Sequence, residues 1–142
     1  MVRRSRYAKE QDMADDVLSN RHMAPPDAPS GSVRKAASSK IAVLNDNFRS
    51  TFIGGRVVMT ASANELPIDV QAAALLAVRS FKDFTEDNDP HGEHDFGSFD
   101  LAGQKFFWKI DYYDLEVCYA SDDPSDPAQT TRVMTIMLAE DY

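Results

Sequence analysis

Nine residues, Lys105-Phe106-Phe107-Trp108-Lys109-Ile110-Asp111-Tyr112-Tyr113, constrain this chain more than any other stretch. Aromatic and β-branched side chains crowd the turns of a helix but pack well on a pleated surface, so the run predicts a strand. Phe96 to Leu101 before it has the same character, and Ala102-Gly103 between them marks a hairpin. After a turn at Tyr113-Asp114, Leu115 to Ala120 predicts another strand. Arg132 to Leu138 predicts the last, across an Asp/Pro/Ser-rich loop from Ser121 to Thr131. Sequential hairpins of this kind make an antiparallel meander with one face free to bury against helices.

Upstream the periodicity changes from two to three and four. Ile41, Leu44, Phe48 and Phe52 fall on one face of a helix over about 40–52, which Gly54-Gly55 ends. Arg56 to Thr60 is a short β-branched strand. Pro67 and Asp69 suit a helix start, and Ile68, Ala72, Leu75, Leu76 and Phe81 continue an apolar stripe to about Phe84. The expected fold is therefore α+β: two helices on an antiparallel meander of four to five strands, forming one acidic domain over residues 39–142. Residues 1–38, with few apolar positions and the run Ala24-Pro25-Pro26-Asp27-Ala28-Pro29-Ser30-Gly31-Ser32, are expected to be a flexible tail, with a short helix around Tyr7 to Leu18.

Charge and cysteine content narrow the function classes. The net charge of −8 is uneven: residues 1–49 carry 9 basic and 6 acidic side chains, residues 50–142 carry 6 and 17. Such a field repels phosphate backbones and attracts basic proteins, so the expected partner is a protein with a basic surface, such as a nucleic-acid-binding complex, with no direct nucleic-acid binding by the core. Cys118 is the only cysteine, which excludes an intramolecular disulfide framework and a Cys-rich zinc site, and it is expected as a buried packing residue of its strand. The basic start has no apolar stretch behind it and no run approaches a membrane span, so a cytoplasmic protein is expected.

The densest group of potential site residues is Thr85 to Gly97, which holds His91 and His94 among several carboxylates. Asp87, Asp89 and His91 followed by Gly92 imitate the opening of a calcium loop, but the twelfth position is Ser98 where a bidentate Glu is needed, and a strand follows where a helix should. His91, His94 and Asp95 could hold a transition metal, although catalytic zinc helices space their histidines by four, not three. Asp and Asn also hydrogen-bond backbone in ordinary turns, and Pro90, Gly92 and Gly97 suit one. Partner contact is the better functional expectation, carried by Asp87, Asp89, His91, Glu93, His94 and Asp95, with Asp111 and Asp114 beside Tyr112 and Tyr113. No catalytic residue or cofactor is assigned: neither a nucleophile signature nor a phosphate-binding glycine loop is present.

Phe52 to Val58, Leu66-Pro67, Asp69 to Ala73, Asn88 to Gly97, Phe107 to Asp114 and Arg132 to Tyr142 together resemble an uncharacterised bacterial family, domain of unknown function 3768, over about residues 41–142. The resemblance supplies no chemistry. It implies a setting on alphaproteobacterial plasmids and other mobile elements, and hence a non-enzymatic, protein-binding accessory role, such as inhibition of a host defence complex in the manner of an anti-CRISPR or DNA mimic. Two alternatives stand beside it: a small metal-dependent enzyme using His91 and His94, and a homo-oligomeric structural module, for which a homodimer is the simplest form.

Overall fold

The computed structural model describes residues 31–142. The helix expected at Tyr7 to Leu18, and most of the expected tail, lie outside the described residues. Helix α1, Gly31–Thr51, begins ten residues before Ile41, the first residue of the apolar repeat, so residues 31–38 are helical. Strand β1, Gly55–Met59, a single-turn helix α2, Ala61–Asn64, and helix α3, Ile68–Arg79, follow. Strands β2, Phe96–Leu101, β3, Gln104–Tyr113, and β4, Thr131–Leu138, complete the sheet, and a 3-10 turn at Ala139–Asp141 ends the chain.

The class is α+β as expected, with a four-stranded sheet in the order β1-β4-β3-β2. The meander accounts for three strands: β2 pairs antiparallel with β3, and β3 with β4. Strand β1 departs from it by running parallel to β4, Val57 opposite Met134. The direction follows from the connections. Helix α3 carries the chain back to the end from which β1 started, so β2 runs the same way as β1, and two hairpin reversals restore that direction in β4. The Ala102-Gly103 hairpin forms with φ of 54° and 77°, the two positive values of a type I′ turn.

Leu115 to Ala120 is not a strand; only one isolated bridge, Tyr113 to Ala120, remains of that expectation. The Asp114 carboxylate accepts the Cys118 N–H at 2.9 Å, and Val117 takes φ 59°, so local side-chain bonding wins over a ladder. Cys118 is consequently exposed rather than buried. Helix α3 likewise stops at Arg79 rather than near Phe84, because the Arg49 guanidinium takes the carbonyls of Val78, Arg79 and Phe81 at 3.1, 3.3 and 2.8 Å.

The core lies between α1 and α3 on one side and the sheet on the other. Phe106, Trp108 and Ile110 of β3 and Met134, Ile136 and Leu138 of β4 project into it toward Phe48, Ala74 and Val78. Trp108 is fully buried and meets Phe81 edge-on at 5.5 Å, as expected of an aromatic that alternation sends inward. Gly97 is required here, since a Cβ would collide with the Trp108 indole and the Phe81 ring. Deleting so large a buried side chain costs about 3–5 kcal/mol in comparable cores.

Candidate functional site

The acidic loop is fastened to α1 through polar residues on that helix's buried face. Asn45 is wholly buried. Its Nδ2 donates to the Glu93 carbonyl and to the Tyr112 hydroxyl, each at 2.9 Å, while its Oδ1 accepts Arg132 Nε at 2.7 Å. Tyr112 in turn donates to Glu93 Oε1 at 2.9 Å, and Arg132 lies over the Tyr112 ring. Burial pushes the Glu93 carboxyl above its ordinary value, against the lowering effect of the Tyr112 hydrogen bond. Burial, with the carboxylates of Asp95 and Glu93 nearby, also holds the Tyr112 phenol well above its ordinary value. The Arg132 guanidinium is lowered by burial.

One position further along α1, Asp46 serves a second cluster. Its carboxylate receives His94 Nδ1 at 3.0 Å and Arg49 Nη2 at 2.7 Å. The His94 ring stacks flat on Phe84, centroids 3.9 Å apart, and its Nε2 faces the Asp89 carboxylate at 3.7 Å. Asp89 is itself buried and accepts the N–H groups of Glu93 and His94 at 3.0 and 3.2 Å, which holds His94 at φ 56°. Arg49 lies 5.4 Å from the Phe84 and Trp108 ring centres. A cleft of about 350 Å³ opens beside this cluster, bounded by Asp46, Arg49, Lys82, Phe84 and His94.

The expected contact residues thus separate. Asp89, Glu93 and His94 point into the fold as fasteners, and Asp95 is half-buried, its carbonyl accepting the Ile110 N–H at 2.8 Å. Asp111 is buried on the far face of the sheet in an ion pair with buried Lys109, and Asp114 caps its own turn. Asp87 and His91 are exposed. For the metal set, His91 faces solvent while His94 is committed to Asp46 and Asp89. Among the described residues no group of three His, Cys, Asp or Glu side chains converges as a metal site would. Chemically the assembly is a latch: apart from the buried Arg49 Nε, which has no hydrogen-bond partner among the described residues, these contacts join its groups to one another and to backbone, with both His94 nitrogens facing carboxylates.

Asn45, Asp46, Arg49 and Arg132 were not foreseen. A signal existed for two of them, because Asn45 and Arg49 occupy the same helical face as Ile41 and Phe48, and polar residues in an apolar stripe must find buried partners.

The family described as Protein of unknown function (DUF3768) matches residues 59–141, which include β2 to β4 and the whole acidic loop. The chain belongs to that family. No curated protein and no solved structure matches it. The matched span of this DUF3768 chain contains Glu93, His94, Tyr112 and Arg132, whereas Asn45, Asp46 and Arg49 precede it.

Proposed function

We propose that this protein is a non-enzymatic binding protein whose acidic surface engages a basic protein surface. The carrying observation is the division of the acidic loop: Asp89, Glu93 and His94 point inward, while Asp83, Glu86 and Asp87 are all exposed on the preceding turn, which Asn88 closes by donating to the Asp83 carbonyl and accepting the Thr85 N–H. Carboxylates carried on a hydrogen-bonded turn cost less backbone ordering on binding, and they steer a cationic partner over distance. Glu65, Asp69, Asp100, Glu116, Asp122 and Glu140 are exposed as well, which extends the negative field across the domain. A nucleic-acid-binding complex of a host defence system presents such a basic surface, and inhibiting it is the role we propose within a mobile element. The charge supports the first part of this reading; the setting implied by the resemblance supports the second.

The test is affinity capture from host lysate with the wild-type chain and with a triple variant, Asp83→Asn, Glu86→Gln and Asp87→Asn, together with a plasmid interference assay. The reading predicts a salt-sensitive partner that the triple variant loses, and relief of interference by the wild type alone. Equal capture by both proteins, or no effect on interference, would sink it.

A further inference from the structure

Strand β1 is an edge of the sheet, and among the described residues nothing pairs with its outer side. The Thr60 N–H donates inward to the Ile136 carbonyl at 3.1 Å. Strand alternation then turns the N–H and C=O groups of Val58 and Arg56 toward β4, and those of Gly55, Val57 and Met59 outward. Edges are usually blunted by Pro, Lys, a bulge or a covering element. Among the described residues this edge has no Pro, bulge or covering element, and Arg56 is its one charge. Val58 is 44% exposed, and beside the strand runs a largely apolar groove of about 670 Å³ bounded by Phe52, Val57, Met59 and Leu75, with Asn64 and Gln71 as its polar wall. Ile53, Ile68 and Leu76 lie exposed on the neighbouring segments.

We propose that this edge pairs with the same edge of a second copy of the chain, joining two sheets into one across a two-fold axis at Val57. Charge selects the occupant. The domain is strongly acidic, yet residues 53–64 carry Arg56 and no carboxylate, and Asp141 beside them is engaged by the Thr60 and Ser62 hydroxyls, so along this strand a like-charged copy meets less of the domain's negative field than at the acidic loop. The basic partner proposed above has no carboxylate to engage here. Register also fits. In an antiparallel pair the outward groups of Val57 exchange both hydrogen bonds with Val57 of the second copy, and those of Gly55 with Met59 of the second copy. The Val57 and Met59 side chains of each copy then enter the other's groove on the helix side. On the opposite face Arg56 lies across from Val58, not from another Arg, so no like charges oppose each other.

The test uses the full chain. Sedimentation should show a reversible dimer, and Val58→Lys, which places Lys across from Arg56 twice in each dimer, should weaken it by about tenfold or more with an unchanged circular dichroism spectrum and, at dilutions where both proteins are monomeric, an unchanged melting point. In a Cys118→Ser background, Val57→Cys should cross-link to its copy on mild oxidation, because hydrogen-bonded antiparallel partners lie about 5.5 Å apart at Cα, within disulfide range. Val58→Cys should not, since its opposite residue is Arg56. A monomer at hundreds of micromolar overturns the proposal. So does a dimer that tolerates Val58→Lys, or cross-linking that is equal at 57 and 58. A monomer whose β1 amides gain exchange protection only when a host protein is added assigns the edge to another protein's strand and also overturns it.

Discussion

Two Asp-rich loops of this domain look alike in sequence and are built in different ways. The loop from Thr85 to Asp95 has bonds of its own, from Asp89 and Asn88, and is in addition fastened by side chains from distant parts of the chain: Asn45 and Asp46 of α1, and Tyr112 of β3. The loop from Ser121 to Thr130 is held largely by itself. Asp123 accepts the N–H and hydroxyl of Ser125 at 3.1 and 2.6 Å, Asp126 accepts from Ala128 and Gln129 at 2.9 and 2.7 Å, and Ser121 bonds Thr130 at 2.7 Å. Arg132 touches both, donating Nε to Asn45 and Nη2 to the Pro124 carbonyl. Composition alone therefore does not say whether an acidic loop is a separate surface turn or part of the core. The partner residues decide it, and in the first loop they come from another helix.

The comparison breaks most visibly at Arg49. Its guanidinium is buried, closes the last turn of α3 and pairs with Asp46, so Arg49→Met leaves helix carbonyls without donors in a dry site. We expect a loss on the order of 3 kcal/mol in urea unfolding, with the near-ultraviolet signal of Trp108 disturbed. Asn45→Ala should follow at about 2–3 kcal/mol, because Arg132 Nε and the Tyr112 hydroxyl both lose a buried partner. Amide exchange should then rise in residues 88–95 before it rises in residues 121–130. Equal loosening of the two loops would mean that Asn45 supports the whole sheet rather than the first loop.

The strands were the most legible part of the sequence, because Phe106 to Tyr112 carries its alternation openly and Ala102-Gly103 its turn. The direction of β1 was not written locally; it depends on the α3 crossover and on the number of hairpins after it. Leu115 to Ala120 misled for the opposite reason, since its apolar content is that of a strand while one carboxylate, Asp114, ties it into a turn. The acidic loop was visible as a cluster, but the role of each member was not. Asp89 and Asp87 are two residues apart in the same composition, and only the packing of Phe84 and α1 makes one buried and the other exposed.

Tyr112 and Glu93 sharpen the contrast through pH. Tyr112→Phe removes the hydroxyl that joins Asn45 to Glu93 and should cost about 1–2 kcal/mol. Burial raises the Glu93 carboxyl above the ordinary 4.5, so the folded chain holds this proton more tightly than the unfolded chain does. The resulting stabilisation is fully present below the ordinary value and is lost as pH rises through the raised folded value. Glu93→Gln keeps an acceptor for Tyr112 but cannot ionise, so wild type should lose stability relative to this variant as pH climbs from 4.5 toward neutrality. Parallel stability curves for the two proteins over that window would show that Glu93 is not ionising in a buried site.

The smallest effect should come from the second loop. Asp123→Ala removes bonds to Ser125 N–H and Oγ, but both donors belong to a half-buried residue that water can reach, and the contact spans only two residues of chain. Water replaces such partners at little cost, so the expected loss is about 0.5 kcal/mol. The residue's main-chain carbonyl still accepts the Thr130 hydroxyl and the Asp126 N–H, which keeps the loop's path. The variant should unfold within about 0.5 kcal/mol of wild type, with exchange raised only near residues 123–126. A loss comparable with that of Asn45→Ala would show that this loop too is fastened to the core, through Arg132 and Pro124, and the distinction between the two loops would fall.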